Sequence, residues 1–209
     1  MFRLICLLLG YVPGTILTAE LVTRRVKKKS VFAIGSGNPG MANVMAQCGF
    51  LPGILVLAGD LLKTVVPCVL CRFVLFPGEG VFAAAWAGLG CILGHNFPLW
   101  HRGKGGKGVS CTCAAIFCIH PFWGLLAMIV GMVAVFFTKY LAIGAVLIPL
   151  AFLPAAALFY GPEAALVTGI MAGIMFARHA PGLRNISRGV EKQVDVLRLI
   201  RDKCRKQQA

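Results

Sequence analysis

Acidic residues are scarce in this sequence: seven Asp and Glu occur among 209 positions, and charged residues of both signs amount to only 13%. A soluble domain carries about 25% charge, so the chain lacks the means to cover itself with a water-compatible surface. The same scarcity leaves no pair of carboxylates placed for general acid–base chemistry. The apolar segment 1–22 has no small-residue cleavage site and holds Pro13-Gly14 and Glu20 in its interior, so it reads as a retained first helix and not as a cleaved signal peptide. No nucleic-acid-binding module accompanies the net charge of +14, which excludes nucleic acid as the partner of those cations.

What is present is apolar: 58% of residues are hydrophobic, against about 45–50% in soluble domains. A helix needs about 20 apolar residues to cross a hydrocarbon core about 30 Å thick. Windows 2–22, 48–70 and 80–100 qualify directly. The stretch 109–177 is divided by His120-Pro121, Thr138-Lys139-Tyr140 and Tyr160-Gly161-Pro162 into four further segments. The expected fold class is therefore all-α, a polytopic integral membrane protein of about seven transmembrane helices. Lysine and arginine accumulate on the cytoplasmic side. With seven spans and the N-terminus outside, the inner loops hold Arg24, Arg25, Lys27, Lys28, Lys29, Arg102, Lys104, Lys107 and Lys139. The C-terminal tail adds Arg178, Arg184, Arg188, Lys192, Arg198, Arg201, Lys203, Arg205 and Lys206, and the outer loops keep only Arg72. Six spans would put that basic tail outside. The charge on one face also suits anionic lipid headgroups, so membrane lipids are expected neighbours.

Three polar stretches stand out. In IGSGNPGMANVM, residues 34 to 45, Gly35, Gly37 and Gly40 match the GxGxxG spacing of dinucleotide sites, with Asp60 about twenty residues on. Asp60 lies in an apolar run, which rules out the second strand of a soluble nucleotide fold. In GHNFPLWHRGKGGKGVS, residues 94 to 110, Lys107 is followed by Gly108 and not by Ser or Thr, so a Walker A loop is excluded. Gly103, Gly105, Gly106 and Gly108 still let backbone N–H groups converge, Lys104 and Lys107 supply charge, and a helix starting near Gly108 aims its dipole at the same point. This is the pattern of a phosphate site. The third stretch, RHAPGLRNISRGVE from 178 to 191, carries His179 and Asn185. On the topology above all three face the cytoplasm, which points to one site for a phosphorylated substrate beside lipid.

Most of the nine cysteines lie in apolar runs, where Cys behaves as a small hydrophobe. Cys111 and Cys113 with His120 are the nearest approach to a ligand set, but two-residue spacing on a helix turns the sulfurs to different faces. No metal and no cofactor are expected.

The ordered motifs GSGNPG(M)AN, GHNFP…KGGKGV and RH…NI.R…E resemble those of the seven-span bacterial glycerol-3-phosphate acyltransferases that use acyl-phosphate, the PlsY family. Asp60-Leu61-Leu62-Lys63 is similar to the DxxK of that family's second span, and Thr138-Lys139-Tyr140 to its TRY segment. The resemblance covers nearly the whole chain, so 1–209 reads as a single transmembrane acyltransferase domain with 178–209 as a basic cytoplasmic tail. It implies acyl transfer from a fatty acyl-phosphate to the sn-1 hydroxyl of glycerol 3-phosphate, giving lysophosphatidic acid and phosphate at the inner membrane of a bacterial cell. It also implies catalytic roles for Ser36, His179, Asn185 and Lys104. Gly35, Gly37, Asn38, Asn43, His95, Gly103, Gly105, Gly106, Lys107, Gly108 and Arg184 are expected to bind substrate or phosphate, and Glu191 to be structural. An acyl-phosphate is already activated, so positioning and oxyanion stabilisation suffice. The alcohol's base is a substrate phosphate or His179.

The chain departs from the family pattern GATNxxR, with Met41, Ala42 and Ala46 at the Ala, Thr and Arg positions. Cys111 and Ala142 stand where Thr and Ser are usual, and Ala180-Pro181-Gly182 lengthens the His-to-Asn spacing. One charge-assisted phosphate contact is worth about 1.5–3 kcal/mol. Arg184, carried on a longer loop, or Arg102 is expected to supply the missing guanidinium. A relative with another acceptor or donor, and a silent lipid-binding or transport protein, are the alternative functions.

Overall fold

The structure is a computed structural model, and it describes residues 1–194. The tail cations Arg198, Arg201, Lys203, Arg205 and Lys206, and Cys204, lie outside the described residues. The helices are α1 (Phe2–Gly14), α2 (Thr18–Lys27), α3 (Met41–Cys48), α4 (Phe50–Val69), α5 (Val81–Asn96), α6 (Val109–Ile119), α7 (Pro121–Thr138) and α8 (Leu141–Ser187). A wide π turn, Leu70–Leu75, prolongs α4, and single 3-10 turns occupy Val31–Ala33 and Leu99–His101. No strand occurs among the described residues.

Among the described residues four helical stretches are long and apolar enough to cross a membrane: Phe2–Lys27, Phe50–Leu75, Pro121–Thr138 and Leu141–Ser187. The breaks between helices follow local chemistry. His120 is extended, as the residue before a proline prefers, and Pro121 opens α7 at a position that needs no N–H. Lys139 ends α7 in the left-handed region at φ 62°. Gly161, at φ 77° and ψ −164°, bends α8 just before Pro162. The 80–100 window is shorter than its apolar length suggests. Its helix α5 stops at Asn96 after 16 residues, about 24 Å at 1.5 Å per residue, because Phe97 precedes Pro98.

The first span is interrupted at residues 15 to 17, between α1 and α2. An unpaired carbonyl inside a membrane protein must find a donor, and the Lys63 ammonium supplies one to the Ile16 carbonyl at 2.8 Å. Helices α1 and α5 lie backbone to backbone. A methyl group at Gly10 would meet the Ala87 carbonyl, one at Gly90 the Leu7 carbonyl and one at Gly94 the Tyr11 carbonyl. Small residues four apart on both helices permit this approach.

The two ends of the bundle differ. At one end Arg3 pairs with Glu163 at 2.6 Å, and Trp86 Nε1 donates to the same carboxylate at 2.9 Å. There Arg72 also caps α6, donating to the carbonyls of Cys118 and Ile119. The glycine-bearing loops lie at the other end, where Trp100 Nε1 donates to Thr15 Oγ1 at 2.9 Å, just past the end of α1.

Candidate active site

The loop of residues 34 to 40 turns twice through the left-handed region, at Gly35 (φ 52°) and Gly37 (φ 69°). Asn43, at the start of α3, holds this path. Its Oδ1 accepts from the Ser36 N–H at 3.0 Å, and its Nδ2 donates to the carbonyls of Ile34 at 3.2 Å and Asn38 at 3.1 Å. Both Nδ2 protons are thereby used, so Asn43 braces the loop and is not free to donate to a substrate. Ser36 stays exposed, and its Oγ accepts from the Asn38 N–H at 3.4 Å. The entry to the loop is fixed by buried Glu20, which accepts from the Val31 N–H at 2.7 Å and from Ser30 Oγ at 3.0 Å.

The second loop, residues 97 to 108, folds over the end of α5. Arg178 of α8 clamps it through two carbonyls: Nε donates to Gly106 at 3.0 Å, and the second guanidinium nitrogen donates to Gly105 at 2.8 Å. The same guanidinium lies 5.5 Å from the Phe97 ring centroid. Because a trans peptide points its N–H opposite its carbonyl, the clamp turns the following amides away from Arg178. The Gly106 N–H lands on the His95 carbonyl at 3.0 Å, so this amide is not available to phosphate, contrary to the expectation from the glycine pattern. The N–H groups of Gly105, Lys107 and Gly108 have no acceptor among the described residues. They sit beside the unpaired first-turn amides of α6, where the helix dipole favours an anion. Lys104 is exposed and Lys107 half-buried. Gly103, at φ 74°, lies in open space.

Beneath the loop lies a buried ionic network. Lys63 Nζ stands 2.8 Å from Asp60 Oδ1, 2.8 Å from His95 Nδ1 and 2.8 Å from the Ile16 carbonyl, while Thr18 Oγ1 donates to Asp60 Oδ1 at 3.2 Å. An ammonium group only donates, so His95 Nδ1 is the acceptor and the imidazole keeps its proton on Nε2. Nε2 faces Gly106, where a methyl group would strike the ring. Gly106 is therefore a glycine because it rests on His95. Asp60, His95 and Cys111 each offer a ligand atom within 4.8 Å of one another, a grouping different from the Cys111, Cys113 and His120 set suggested by spacing. The Lys63 ammonium already lies on Asp60 Oδ1 and His95 Nδ1, so a positive charge is present in this grouping.

His179 is buried, and its Nδ1 lies 2.9 Å from the Met175 carbonyl. A carbonyl only accepts, so Nδ1 carries the proton and Nε2 is left with an open electron pair, the arrangement a base requires. Helix α8 runs without interruption through Ala180, Pro181 and Gly182 to Ser187. The expected longer loop before Asn185 therefore does not exist. Arg184 sits exposed on the last turns of this helix and Asn185 half-buried beside it. Glu191 packs against Gly182, and the chain beyond it is tied to the α7–α8 turn by Val194 N–H to the Lys139 carbonyl at 2.8 Å.

The three stretches meet through the second. Phe32 meets His101 with tilted rings, centroids 5.6 Å apart, joining the first loop to the second, and Arg178 joins the third. Sequence reading missed the clamp by Arg178 and the part played by Lys63. Asp60 and Lys63 carried a signal, since charges inside an apolar run are functional candidates by default.

The family model described as glycerol-3-phosphate acyltransferase matches residues 4–189. "Glycerol-3-phosphate acyltransferase 1" of Lactobacillus johnsonii is 36% identical over 205 residues, covering 97% of this chain and 98% of that protein. The glycerol-3-phosphate acyltransferase of Shouchella clausii is 32% identical over 192 residues, covering 90% and 93%. The crystal structure of PlsY, an integral membrane glycerol 3-phosphate acyltransferase in its glycerol 3-phosphate form, superposes with a TM-score of 0.84 at 23% identity, covering 95% of this chain and 98% of that one. That likeness establishes a shared fold.

Proposed function

The chain belongs to the glycerol-3-phosphate acyltransferase family, and from that premise we infer that it moves a fatty acyl group from an acyl-phosphate to the sn-1 hydroxyl of glycerol 3-phosphate. The hydroxyl oxygen bonds to the acyl carbon, the bond from that carbon to the phosphate oxygen breaks, and lysophosphatidic acid and inorganic phosphate leave. The hydroxyl proton passes to a phosphate oxygen or to Nε2 of His179. The acceptor's phosphate is held by the free amides of Gly105, Lys107 and Gly108 with Lys104 and Lys107, and the donor approaches from lipid past Ser36. Fixed donors of this kind do not reorganise as charge develops, which is how they lower the barrier.

The observation that carries this reading is the Arg178 clamp on the Gly105 and Gly106 carbonyls. It joins two of the three polar stretches and leaves neighbouring amides open for phosphate. A position on the cytoplasmic face of a bacterial inner membrane is supported by the cluster of Lys and Arg in the loops around the site, since such residues accumulate on that side. The direct test incubates purified protein with palmitoyl-phosphate and labelled glycerol 3-phosphate. Labelled lysophosphatidic acid is the expected product, and its absence at all protein concentrations overturns the assignment. Ala46, in place of the pattern's arginine, makes this test worth running with Ala46→Arg alongside. Arg178 is already committed to carbonyls, so an added guanidinium on exposed α3 is expected to raise activity.

A further inference from the structure

Asn96 ends α5 directly under the glycine loop, and nothing in the motif reading gave it a role. It is wholly buried, and neither Oδ1 nor Nδ2 has a hydrogen-bond partner among the described residues. Unpaired buried amides are rare because each forfeits its bonds to water. The side chain lies against Gly108, at φ 78°, where any Cβ would collide with Oδ1. Gly108 itself carries one of the loop's free N–H groups. The unsatisfied amide and the proposed phosphate donors thus share one small volume at the start of α6.

We propose that Asn96 is a specificity-determining residue that reads the C2 hydroxyl of the acceptor, an inference that rests on the acyl-transfer reading above. The oxygens of a phosphate dianion accept but do not donate, so they satisfy Nδ2 and leave Oδ1 unpaired. Oδ1 requires a ligand donor, and glycerol 3-phosphate has two. The C1 hydroxyl is the nucleophile and must give up its proton. The C2 hydroxyl sits one carbon from the phosphate-bearing carbon, and it both donates and accepts, as the amide does. The loop covers the amide, so engagement lifts the backbone at Gly108, which as glycine moves without strain.

The test compares glycerol 3-phosphate with 3-hydroxypropyl phosphate, which lacks the C2 hydroxyl, using palmitoyl-phosphate as donor. Wild type is expected to favour glycerol 3-phosphate at least tenfold in kcat/KM, since a site built to pair a hydroxyl rejects the analogue without it. Asn96→Leu is expected to lower kcat/KM for glycerol 3-phosphate, through KM, at least tenfold more than for the analogue, and so to bring the ratio near one. Removing an unpaired amide also leaves the thermal midpoint in detergent unchanged or raised, whereas an amide with a structural role would lower it. A variant that keeps the wild-type preference overturns the proposal, and so does a wild type that shows none, which needs no variant to fold. If neither acceptor gives product, the function reading fails. Calorimetric binding of the two compounds to wild type then decides the inference, equal affinity overturning it.

Discussion

At Lys63 three protons meet three acceptors, on Asp60, on His95 and on the backbone of residue 16. The ammonium closes a broken helix, neutralises a buried carboxylate and fixes the tautomer of the ring that supports Gly106. Removing one member of a buried ion pair costs about 3–5 kcal/mol, because the other charge is left without compensation. Lys63→Met is therefore expected to lower the thermal midpoint in detergent sharply and to abolish activity. Asp60→Leu combined with Lys63→Met removes both charges and is expected to recover most of the midpoint without recovering activity, since His95 still lacks its donor. A double variant no more stable than the single would show that the ion pair is not what the fold depends on. The spacing of Asp60 and Lys63 was legible in the sequence, as three residues on a helix bring side chains together. His95 was not, because it comes from another helix, and only packing of α4 on α5 brings the ring to the ammonium. Asn43 shows a related gap: sequence marks the residue as part of a site but not whether its amide faces ligand or loop.

The helices divide into those whose limits follow from their own residues and those whose limits depend on partners. Proline and glycine set both ends of α6, the start of α7 and the bend in α8, and those positions could be read directly. The interruption of the first span could not, since residues 15 to 17 unwind where Lys63 and Trp100 donate to the Ile16 carbonyl and the Thr15 hydroxyl. The run of α8 through Pro181 was also hidden, because a proline inside a helix is tolerated in membrane proteins when neighbours satisfy the freed groups. The glycines of α1 and α5 matter at this scale. Gly90→Val would drive a side chain into the Leu7 carbonyl and push α1 away from α5. Overpacking costs about 1–3 kcal/mol, and here it also shifts Tyr11, whose hydroxyl holds the Phe97 carbonyl at 2.9 Å. The expected result is a lower thermal midpoint together with a loss of activity greater than the unfolded fraction explains. Gly173→Ala is the control: it adds a methyl group to open space on α8 and is expected to be neutral or stabilising.

For the whole molecule the decisive question is how many times the chain crosses, and contacts between distant segments bear on it. Gln193 Nε2 donates to the Tyr140 hydroxyl at 3.2 Å, and Val194 to the Lys139 carbonyl, so the chain leaving α8 returns to where α8 began. A 47-residue helix bent at Gly161 that starts and finishes at one end is long enough to cross twice. Helix α6 has 11 residues, too few to span alone, yet it starts at the glycine loop and finishes under Arg72 near the far end of α4. It therefore joins opposite ends of the bundle. We propose seven crossings, α1 with α2 as one, α4, α5, α6 and α7 as one each and α8 as two, which leaves the end of α8 opposite the N-terminus. Arg25, Lys27, Lys28, Lys29, Arg102, Lys104 and Lys107 then share a face with the site, beside Arg24 paired with Glu20, whereas Arg3 and Arg72 at the other end are tied to Glu163 and to the end of α6. Positive charge left free on one side directs that side to the cytoplasm. A fluorescent reporter fused after Ala209 is expected to mature in the cytoplasm, and alkaline phosphatase inserted at Gly78, in the turn between α4 and α5, is expected to be active outside. Activity of phosphatase after Ala209, with none at Gly78, would invert the orientation. Activity of phosphatase at both positions would mean an even number of crossings and would place the glycine loops and the tail on opposite faces.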